Sequence, residues 1–223
     1  MLLGLLLAKK GIPIQLVDMS YELDKQPRAT HYGPPAMYEL RRAGVNEEMR
    51  AQGFLPNGVS WRKLDGTFLA GINVELTNDD PDRMVCLPLN KLGKILYEHI
   101  SREPTATVSW GHKVVGLGQD DDKAWVDVET PEGPKKLEAE YIIGCDGANS
   151  QIRRSLFGDF EFPGKTWDEQ IVATNVREHR MSTTNTIEML TSPDILRLLA
   201  IQLGGFVLHY PPGALLHGCK DRH

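Results

Sequence analysis

Apolar positions along the chain follow two repeats, one typical of helices and one typical of buried strands. An apolar run at residues 1–8 is followed by two lysines and Gly11, and a second apolar run then leads to Asp18. A helix that stops near a glycine and continues into a strand fits this order. We therefore predict a buried helix that feeds a parallel strand. A secretory signal peptide is the alternative for residues 1–8. It is disfavoured because the lysines follow the apolar run and no small-residue cleavage site comes after it.

The middle of the chain predicts two helices and a series of strands. Prolines precede the segment 36–43 and Gly44 follows it, which frames a helix. Leucines and isoleucines at helical spacing behind Pro88 predict a second helix within residues 87–100. Two strand-like runs flank the turn signal Asp65-Gly66, and three later runs predict a β-meander. The predicted strands are residues 59–64, 67–72, 106–115, 123–130 and 135–143.

The meander leads into the most distinctive segment of the chain, residues 141–150. An apolar run there gives way to Gly144, Cys145, Asp146 and Gly147, and then to small polar residues. We interpret the segment as a buried strand that ends in a ligand-facing loop, because a carboxylate flanked by glycines lets a backbone approach a large polar ligand. The alternative is a β-turn in which Asp and Gly occupy favoured positions.

Asp18 closes the first predicted strand in the manner of a dinucleotide-binding βαβ unit, whose acidic residue accepts hydrogen bonds from a ribose. The order helix, glycine, strand and acid is the second half of such a unit. No strand and no glycine-rich phosphate loop precede the helix in this sequence. Since that loop supplies the anion site for a pyrophosphate, we expect cofactor affinity to fall drastically without it.

Residues 141–150, with Arg153 in register behind them, resemble the Asp-Gly motif of the flavin-dependent aromatic hydroxylases. These are single-component, p-hydroxybenzoate-hydroxylase-like monooxygenases that use FAD and NAD(P)H. The resemblance covers about residues 2–176. It implies that the strand, the Asp-Gly pair and the following arginine help to hold FAD and take part in nicotinamide engagement, with Asp146 and Gly147 on the flavin side.

The same resemblance assigns further residues. Arg28 is expected to aim its guanidinium at the FAD phosphates, a task that suits a fixed donor fork, whereas without the resemblance it is an exposed loop arginine. Val115, together with Val114, is expected to contact adenine through backbone groups. Gly4 is expected to be the small helix position that packs on the sheet. Where the family often carries a polar FAD contact this chain has Leu89, so that contact is not predicted.

The predicted fold class is α/β. It is an incomplete Rossmann-like FAD-binding domain, with the first strand and glycine loop missing, joined to a β-meander and the start of a substrate domain. We assign residues 1–158 to an N-terminally truncated FAD-binding domain and residues 159–223 to a partial substrate domain with a divergent C-terminal tail. Beyond residue 176 the resemblance ends, the later Gly-Asp motif is absent, and residues 194–203 are helix-like.

Composition narrows the partners and the compartment. The 223-residue chain has a formal net charge of −5 and no concentrated basic stripe, which argues against nucleic acid or an anionic membrane. Cys86, Cys145 and Cys219 are odd in number and lack metal-ligand spacing, which favours a reducing, cytoplasmic compartment. The acidic run 120–122 is interpreted as a solvated turn. We predict no metal site and no membrane span.

The resemblance implies an FAD-dependent oxidoreductase, a monooxygenase that hydroxylates a small phenolic or polyketide-like aromatic with NAD(P)H and molecular oxygen. We expect this activity to be impaired in the truncated chain. The chemistry belongs to the cofactor, and no catalytic residue is assigned. One alternative is a non-catalytic flavoprotein-like remnant that binds a nucleotide or a partner chain. Another is a nicotinamide-only dehydrogenase, which residues 141–150 disfavour. The substrate, the choice between NADH and NADPH, and the oligomeric state stay open.

Overall fold

The computed structural model describes residues 1–26, 28–63, 65–73, 79–159 and 164, with the backbone of four later strands. Five helices lie in the described part of the chain: α1 (Leu2–Ala8), α2 (Pro34–Arg42), α3 (Asn46–Gln52), α4 (Leu89–Ile100) and α5 (Gln151–Phe157). Thirteen strands are described alongside them: β1 (Ile14–Asp18), β2 (His31–Tyr32), β3 (Gly58–Lys63), β4 (Phe68–Asn73), β5 (Val85–Cys86), β6 (Ala106–Trp110), β7 (Lys113–Gln119), β8 (Ala124–Thr130), β9 (Gly133–Ala139), β10 (Val172–Val176), β11 (Thr186–Thr191), β12 (Leu196–Leu199) and β13 (Gly205–His209).

These elements divide between two compact units. The first unit contains α1, β1, β6 to β9 and α5. The second contains β2 to β5, α2, α3, most of α4 and the four late strands.

The first unit begins with the predicted helix and strand. Strand β1 pairs in parallel with β6, from Ile14 opposite Ala106 to Asp18 opposite Trp110. A Cβ atom on Gly4 would lie 2.9 Å from Cδ1 of Ile14, so helix and strand approach closely at this glycine. The predictions of a buried helix, a parallel strand and a small packing residue in the helix are confirmed.

The meander of the first unit is a three-stranded antiparallel sheet in the order β7, β8, β9, with α5 packed against it. Val126, Val128 and Ile152 form its buried centre. The prediction of one strand over residues 106–115 is wrong, because Gly111 has a φ of 68° and the chain turns there between β6 and β7. One part of the predicted strand pairs with β1, and the other pairs with β8.

The prediction of a buried strand leading to Asp146 is also wrong. Strand β9 ends at Ala139, and residues 141–145 belong to no strand. Tyr141 is 82% exposed and Ile143 is 58% exposed. A strand requires a neighbour that takes up its backbone hydrogen bonds, and no described strand pairs with this segment.

The second unit is built on α2, α3 and α4, with the short antiparallel pair β2 and β5. Met37, Leu40 and Met49 are fully or almost fully buried. The predicted helices correspond to α2 and α4, and the hairpin around Asp65-Gly66 is confirmed as β3 and β4. Helix α3 was not among the predicted elements.

The hairpin continues into a six-stranded sheet in the order β10, β13, β12, β11, β3, β4. Residues 194–203 were expected to be helix-like, and this expectation is wrong for Leu196–Leu199, which form strand β12. The remaining residues of that stretch lie outside the described part of the chain. Periodicity misled here because a short run rich in leucine fits a buried strand as well as a helix.

Candidate functional site

Asp18 stands at the carboxyl end of β1, where it is exposed to solvent. Its Oδ1 atom accepts a hydrogen bond of 2.8 Å from the backbone N–H of Ser20. Its backbone carbonyl accepts a hydrogen bond of 2.9 Å from the N–H of His112. The first contact uses one of two carboxylate oxygens and fixes the plane of the carboxylate. A carboxylate held in this way suits the two hydroxyls of a ribose.

The residues that follow Asp18 in the chain line an open depression of about 450 Å³. Tyr21 covers Gly111, since a Cβ atom on that glycine would lie 2.9 Å from the tyrosine ring, yet Tyr21 remains 78% exposed. The Nζ atom of Lys113 lies 3.3 Å from Oε2 of Glu129 at the rim. The lining residues are Met19, Ser20, Tyr21, Gly111, Lys113, Glu129, Thr130 and Pro131. The exposed Tyr21 ring offers a flat surface for stacking against a base.

Val115 lies at a β-bulge. The register between β7 and β8 passes from Val114 opposite Val128 to Gly116 opposite Asp127, and Val115 is the extra residue. Its side chain is 41% exposed. A bulged residue is left out of the ladder, so its backbone is available to a ligand. This geometry is compatible with the backbone contact to adenine that was predicted for Val115.

Asp146 adds a second set of capping hydrogen bonds at the start of α5, whose N-cap residue is Ser150. Its Oδ1 atom accepts a hydrogen bond of 2.6 Å from the Ser150 hydroxyl, and its Oδ2 atom accepts bonds from the N–H groups of Gln151 (2.7 Å) and Ile152 (3.2 Å). Partial burial raises the pKa of Asp146, but the hydrogen bonds from Ser150 and the backbone outweigh it and bring the pKa below its usual value. Both carboxylate oxygens therefore already have partners within the chain.

The glycines beside Asp146 have different roles. Gly147 has a φ of 82°, and a Cβ atom there would meet no atom within 4 Å, so its requirement is conformational. Gly144 is needed for space, because a Cβ atom would lie 3.0 Å from the Cβ of Ile152 in α5. The open surface at Gly147 leaves room for a ligand to approach the backbone.

Arg28 lies in the second unit, on the loop before β2. Its Nε atom is 2.7 Å from Oδ2 of Asp24, and its side chain is 61% exposed. Arg28 has a φ of 38°, the one positive value among the described non-glycine residues. The structure thus finds the predicted phosphate ligand already paired with a carboxylate. Asp24 was not singled out from the sequence, because the pairing signal of an acid four residues before an arginine applies to a helix, and Asp24 and Arg28 lie on a loop.

The loop that carries Arg28 is fastened to the start of α4. The carbonyl of Ala29 accepts a 3.0 Å bond from the N–H of Leu89, and the carbonyl of Lys25 accepts a 3.2 Å bond from Nδ2 of Asn90. Leu89 presents no polar side chain, as the sequence indicated. Asn90, the next residue, was not singled out from the sequence and positions the loop instead.

The buried polar groups near β2 do not form a catalytic set. Burial raises the pKa of the Cys86 thiol and of the Tyr32 hydroxyl to about 12 and lowers the pKa of His31. His31 stands opposite Cys86 in the β2–β5 register. A thiol with so high a pKa stays protonated near neutral pH and is a poor nucleophile. The second unit therefore gives no reason to assign covalent catalysis to Cys86.

The described residues contain neither a cluster of metal-ligating side chains nor a helix able to cross a membrane. No group of three or more His, Cys, Asp or Glu residues in that part of the chain is arranged to hold a metal ion. The described helices are also all too short or too polar to cross a bilayer. In the acidic run, Oδ1 of Asp120 accepts bonds from the N–H groups of Asp122 and Lys123, which confirms the predicted turn.

Known proteins resemble this chain in both sequence and fold. The FAD binding domain profile matches residues 1–195. Among solved structures, p-nitrophenol 4-monooxygenase PnpA from Pseudomonas putida DLL-E4 superposes with a TM-score of 0.83 at 24% identity, over 97% of this chain and 56% of that one. The flavin-dependent monooxygenase PieE, solved with FAD and substrate, gives a TM-score of 0.78 at 19% identity, over 100% and 42% of the two chains. The fold is thus that of an FAD-binding domain with mixed helix and strand content.

Curated relatives agree with this class. Para-nitrophenol 4-monooxygenase of Pseudomonas sp. (strain WBC-3) is 29% identical over 178 residues, which cover 79% of this chain and 44% of the relative. The 6-hydroxy-3-succinoylpyridine 3-monooxygenase HspB of Pseudomonas putida (strain DSM 28022 / S16) is 30% identical over 181 residues, covering 79% and 45%. This chain belongs to the FAD-binding family of aromatic hydroxylases.

The predicted family is therefore confirmed, and FAD is the cofactor of that family. The use of NAD(P)H is typical of it. The family match extends past residue 176, where the sequence resemblance was expected to end. The chain spans less than half the length of the two curated relatives.

Proposed function

We propose that the protein to which this chain belongs is an FAD-dependent monooxygenase that hydroxylates a small aromatic molecule with NAD(P)H and molecular oxygen. The family match supports the cofactor. The observation that carries the proposal in this chain is the oriented carboxylate of Asp18, at the end of a parallel strand and beside an open depression. When bound, FAD supplies the redox chemistry, and the protein contributes binding, orientation and electrostatics.

Each predicted ligand has a proposed task. Asp18 accepts hydrogen bonds from the adenosine ribose, and the bulged backbone of Val115 meets the adenine edge. Arg28 offers its guanidinium to the phosphates. Asp146 holds the start of α5, so that Gly147 presents an unobstructed backbone to the flavin side of FAD.

The proposed substrate is an electron-rich ring that bears a hydroxyl group, phenolic or polyketide-like. Two curated relatives carry names that specify a nitrophenol and a hydroxypyridine. We propose that the protein positions the substrate and the cofactor, whose chemistry performs the hydroxylation. No acid or base is assigned.

We propose a Rossmann-like arrangement for the parallel pair of β1 and β6 with α1. Residues 1–158 are proposed as the FAD-binding domain and residues 159–223 as part of a substrate domain. A reducing, cytoplasmic compartment is proposed from the cysteine usage. The proposed partners are the aromatic substrate and oxygen, without nucleic acid.

The ribose contact is tested by Asp18→Asn and Asp18→Ala. Loss of a charge-assisted hydrogen bond costs about 1.5–3 kcal/mol, so we expect FAD to bind roughly ten- to a hundredfold more weakly to the alanine variant. Quenching of flavin fluorescence during titration gives the dissociation constant. Gln15→Ala, also on β1, is the control and should leave the constant within about twofold. Unchanged FAD binding by both Asp18 variants would show that Asp18 does not contact the cofactor.

A non-catalytic flavoprotein-like remnant is the second candidate. It is favoured by the fact that both carboxylate oxygens of Asp146 already have partners within the chain. Such a protein would bind FAD or another nucleotide yet show no aromatic-dependent oxidation of NAD(P)H. Turnover stimulated by a phenol would exclude this candidate.

A further inference from the structure

The Arg28 guanidinium forms an ion pair with the Asp24 carboxylate, and a backbone hydrogen bond fixes that carboxylate in turn. Oδ2 of Asp24 lies 2.7 Å from Nε of Arg28, while Oδ1 accepts a 2.9 Å bond from the backbone N–H of Gln26. The second bond closes an Asx turn, which fixes the orientation of the carboxylate. The Asp24 carboxylate therefore cannot move with the Arg28 side chain, and the ion pair has a fixed orientation.

The geometry of the guanidinium decides what this pairing leaves available. A carboxylate at Nε occupies the edge that this nitrogen shares with one terminal nitrogen. The edge formed by the two terminal nitrogens points away from Asp24, and its two N–H donors match a pair of phosphate oxygens. A phosphate bound there would have the cation between itself and Asp24, which limits repulsion between the two anions.

The backbone of the same loop is restrained on both sides of Arg28. A non-glycine residue with a φ of 38° is uncommon and persists where surrounding contacts enforce it. The bonds from Asn90 to the Lys25 carbonyl and from Leu89 to the Ala29 carbonyl provide such contacts. The side chain and the backbone of Arg28 are thus both set before any ligand arrives.

We propose that Asp24 is a positioning residue that orients the Arg28 guanidinium for the diphosphate of FAD. This inference rests on the proposed function, in which Arg28 binds the phosphates. Asp24 acts only through Arg28, which separates this role from a general effect of charge on an anionic ligand. The benefit is that binding does not have to order a long flexible side chain.

A double-mutant cycle tests this role. The dissociation constants of FAD and of riboflavin, which has no phosphate, are measured by flavin fluorescence for wild type, Asp24→Asn, Arg28→Ala and the double variant. Asparagine keeps the turn acceptor and removes the charge. We expect Asp24→Asn to weaken FAD binding roughly two- to fivefold, the range of an exposed ion pair. The change should be absent for riboflavin and absent when Arg28 is already alanine.

Glu39→Gln is the matched control, because Glu39 forms a 2.7 Å ion pair with Arg42 on the exposed side of α2 in the same unit. It should leave FAD binding unchanged. The NMR signal of the Arg28 Nε–H group reports the pair in the ligand-free protein, and Asp24→Asn should accelerate its exchange with water. Tighter FAD binding by Asp24→Asn, or an equal effect with and without Arg28, would overturn the inference alone. A folded wild type that binds no FAD would overturn the proposed function as well.

Discussion

At the scale of single residues, the carboxylates that the sequence singled out have different environments. Asp18 uses one oxygen within the chain, and Asp146 uses both. The Asp-Gly motif identifies the family, but in this structure the Asp146 carboxylate accepts hydrogen bonds from backbone N–H groups at the start of α5. Sequence reasoning could recognise that an acid stands at this position. It could not show which hydrogen bonds the acid makes, because those depend on where α5 begins.

Replacing Asp146 tests the capping role. Asp146→Ala should lower the free energy of unfolding by about 1 kcal/mol, the usual cost of losing a cap. Chemical denaturation at pH 7 measures this loss, with Glu140→Gln as an exposed control. Because the folded pKa is depressed, the charged cap contributes fully above the pKa of the unfolded chain and is lost as pH falls through the folded pKa. The difference between wild type and Asp146→Ala should therefore shrink below about pH 4. A difference that stays constant down to pH 2.5 would argue against the carboxylate as the cap.

At the scale of elements, strong local sequence signals predicted the correct structure, whereas the pairing of distant strands was not predicted. Asp65-Gly66 predicted its hairpin, and the prolines and Gly44 framed α2. The break at Gly111 was missed because an apolar run shows neither where a chain turns nor which strand it joins. The extent of strand β6 is set by its parallel pairing with β1, a long-range contact that no local sequence pattern encodes. The same limit explains β12, whose strand state depends on β11 and β13.

Gly53, directly after α3, marks another contact that only the folded chain reveals. A Cβ atom there would lie 2.5 Å from the carbonyl oxygen of Cys86 and 2.9 Å from that of Met49. Backbone atoms cannot rotate away, so Gly53→Ala should destabilise the protein by about 2–3 kcal/mol. Gly33→Ala is the matched control, because a Cβ atom there meets nothing within 4 Å, and it should cost less than about 1 kcal/mol as a change of cap residue. Thermal unfolding of both variants measures the difference. Equal stabilities would show that the loop at Gly53 adjusts readily.

At the scale of the whole molecule, the family was predictable because its motif is local and continuous. Residues 141–150 and Arg153 identified it, and the FAD binding domain profile confirms it across residues 1–195. The site was less predictable than the family. Asp24 and Asn90 shape the Arg28 loop through contacts to a side chain and to a backbone carbonyl. Neither contact corresponds to a family motif, so only the folded structure reveals them.

The proposed function requires that this chain provide a binding surface for FAD. The most direct measurement is the visible absorbance spectrum of the purified, folded chain after incubation with FAD and removal of the unbound cofactor. We expect the protein to retain flavin bands that are shifted from those of FAD in solution, at less than an equimolar ratio because the expected affinity is reduced. A chain that is folded by circular dichroism, yet stays colourless and quenches no flavin fluorescence, would contradict this expectation.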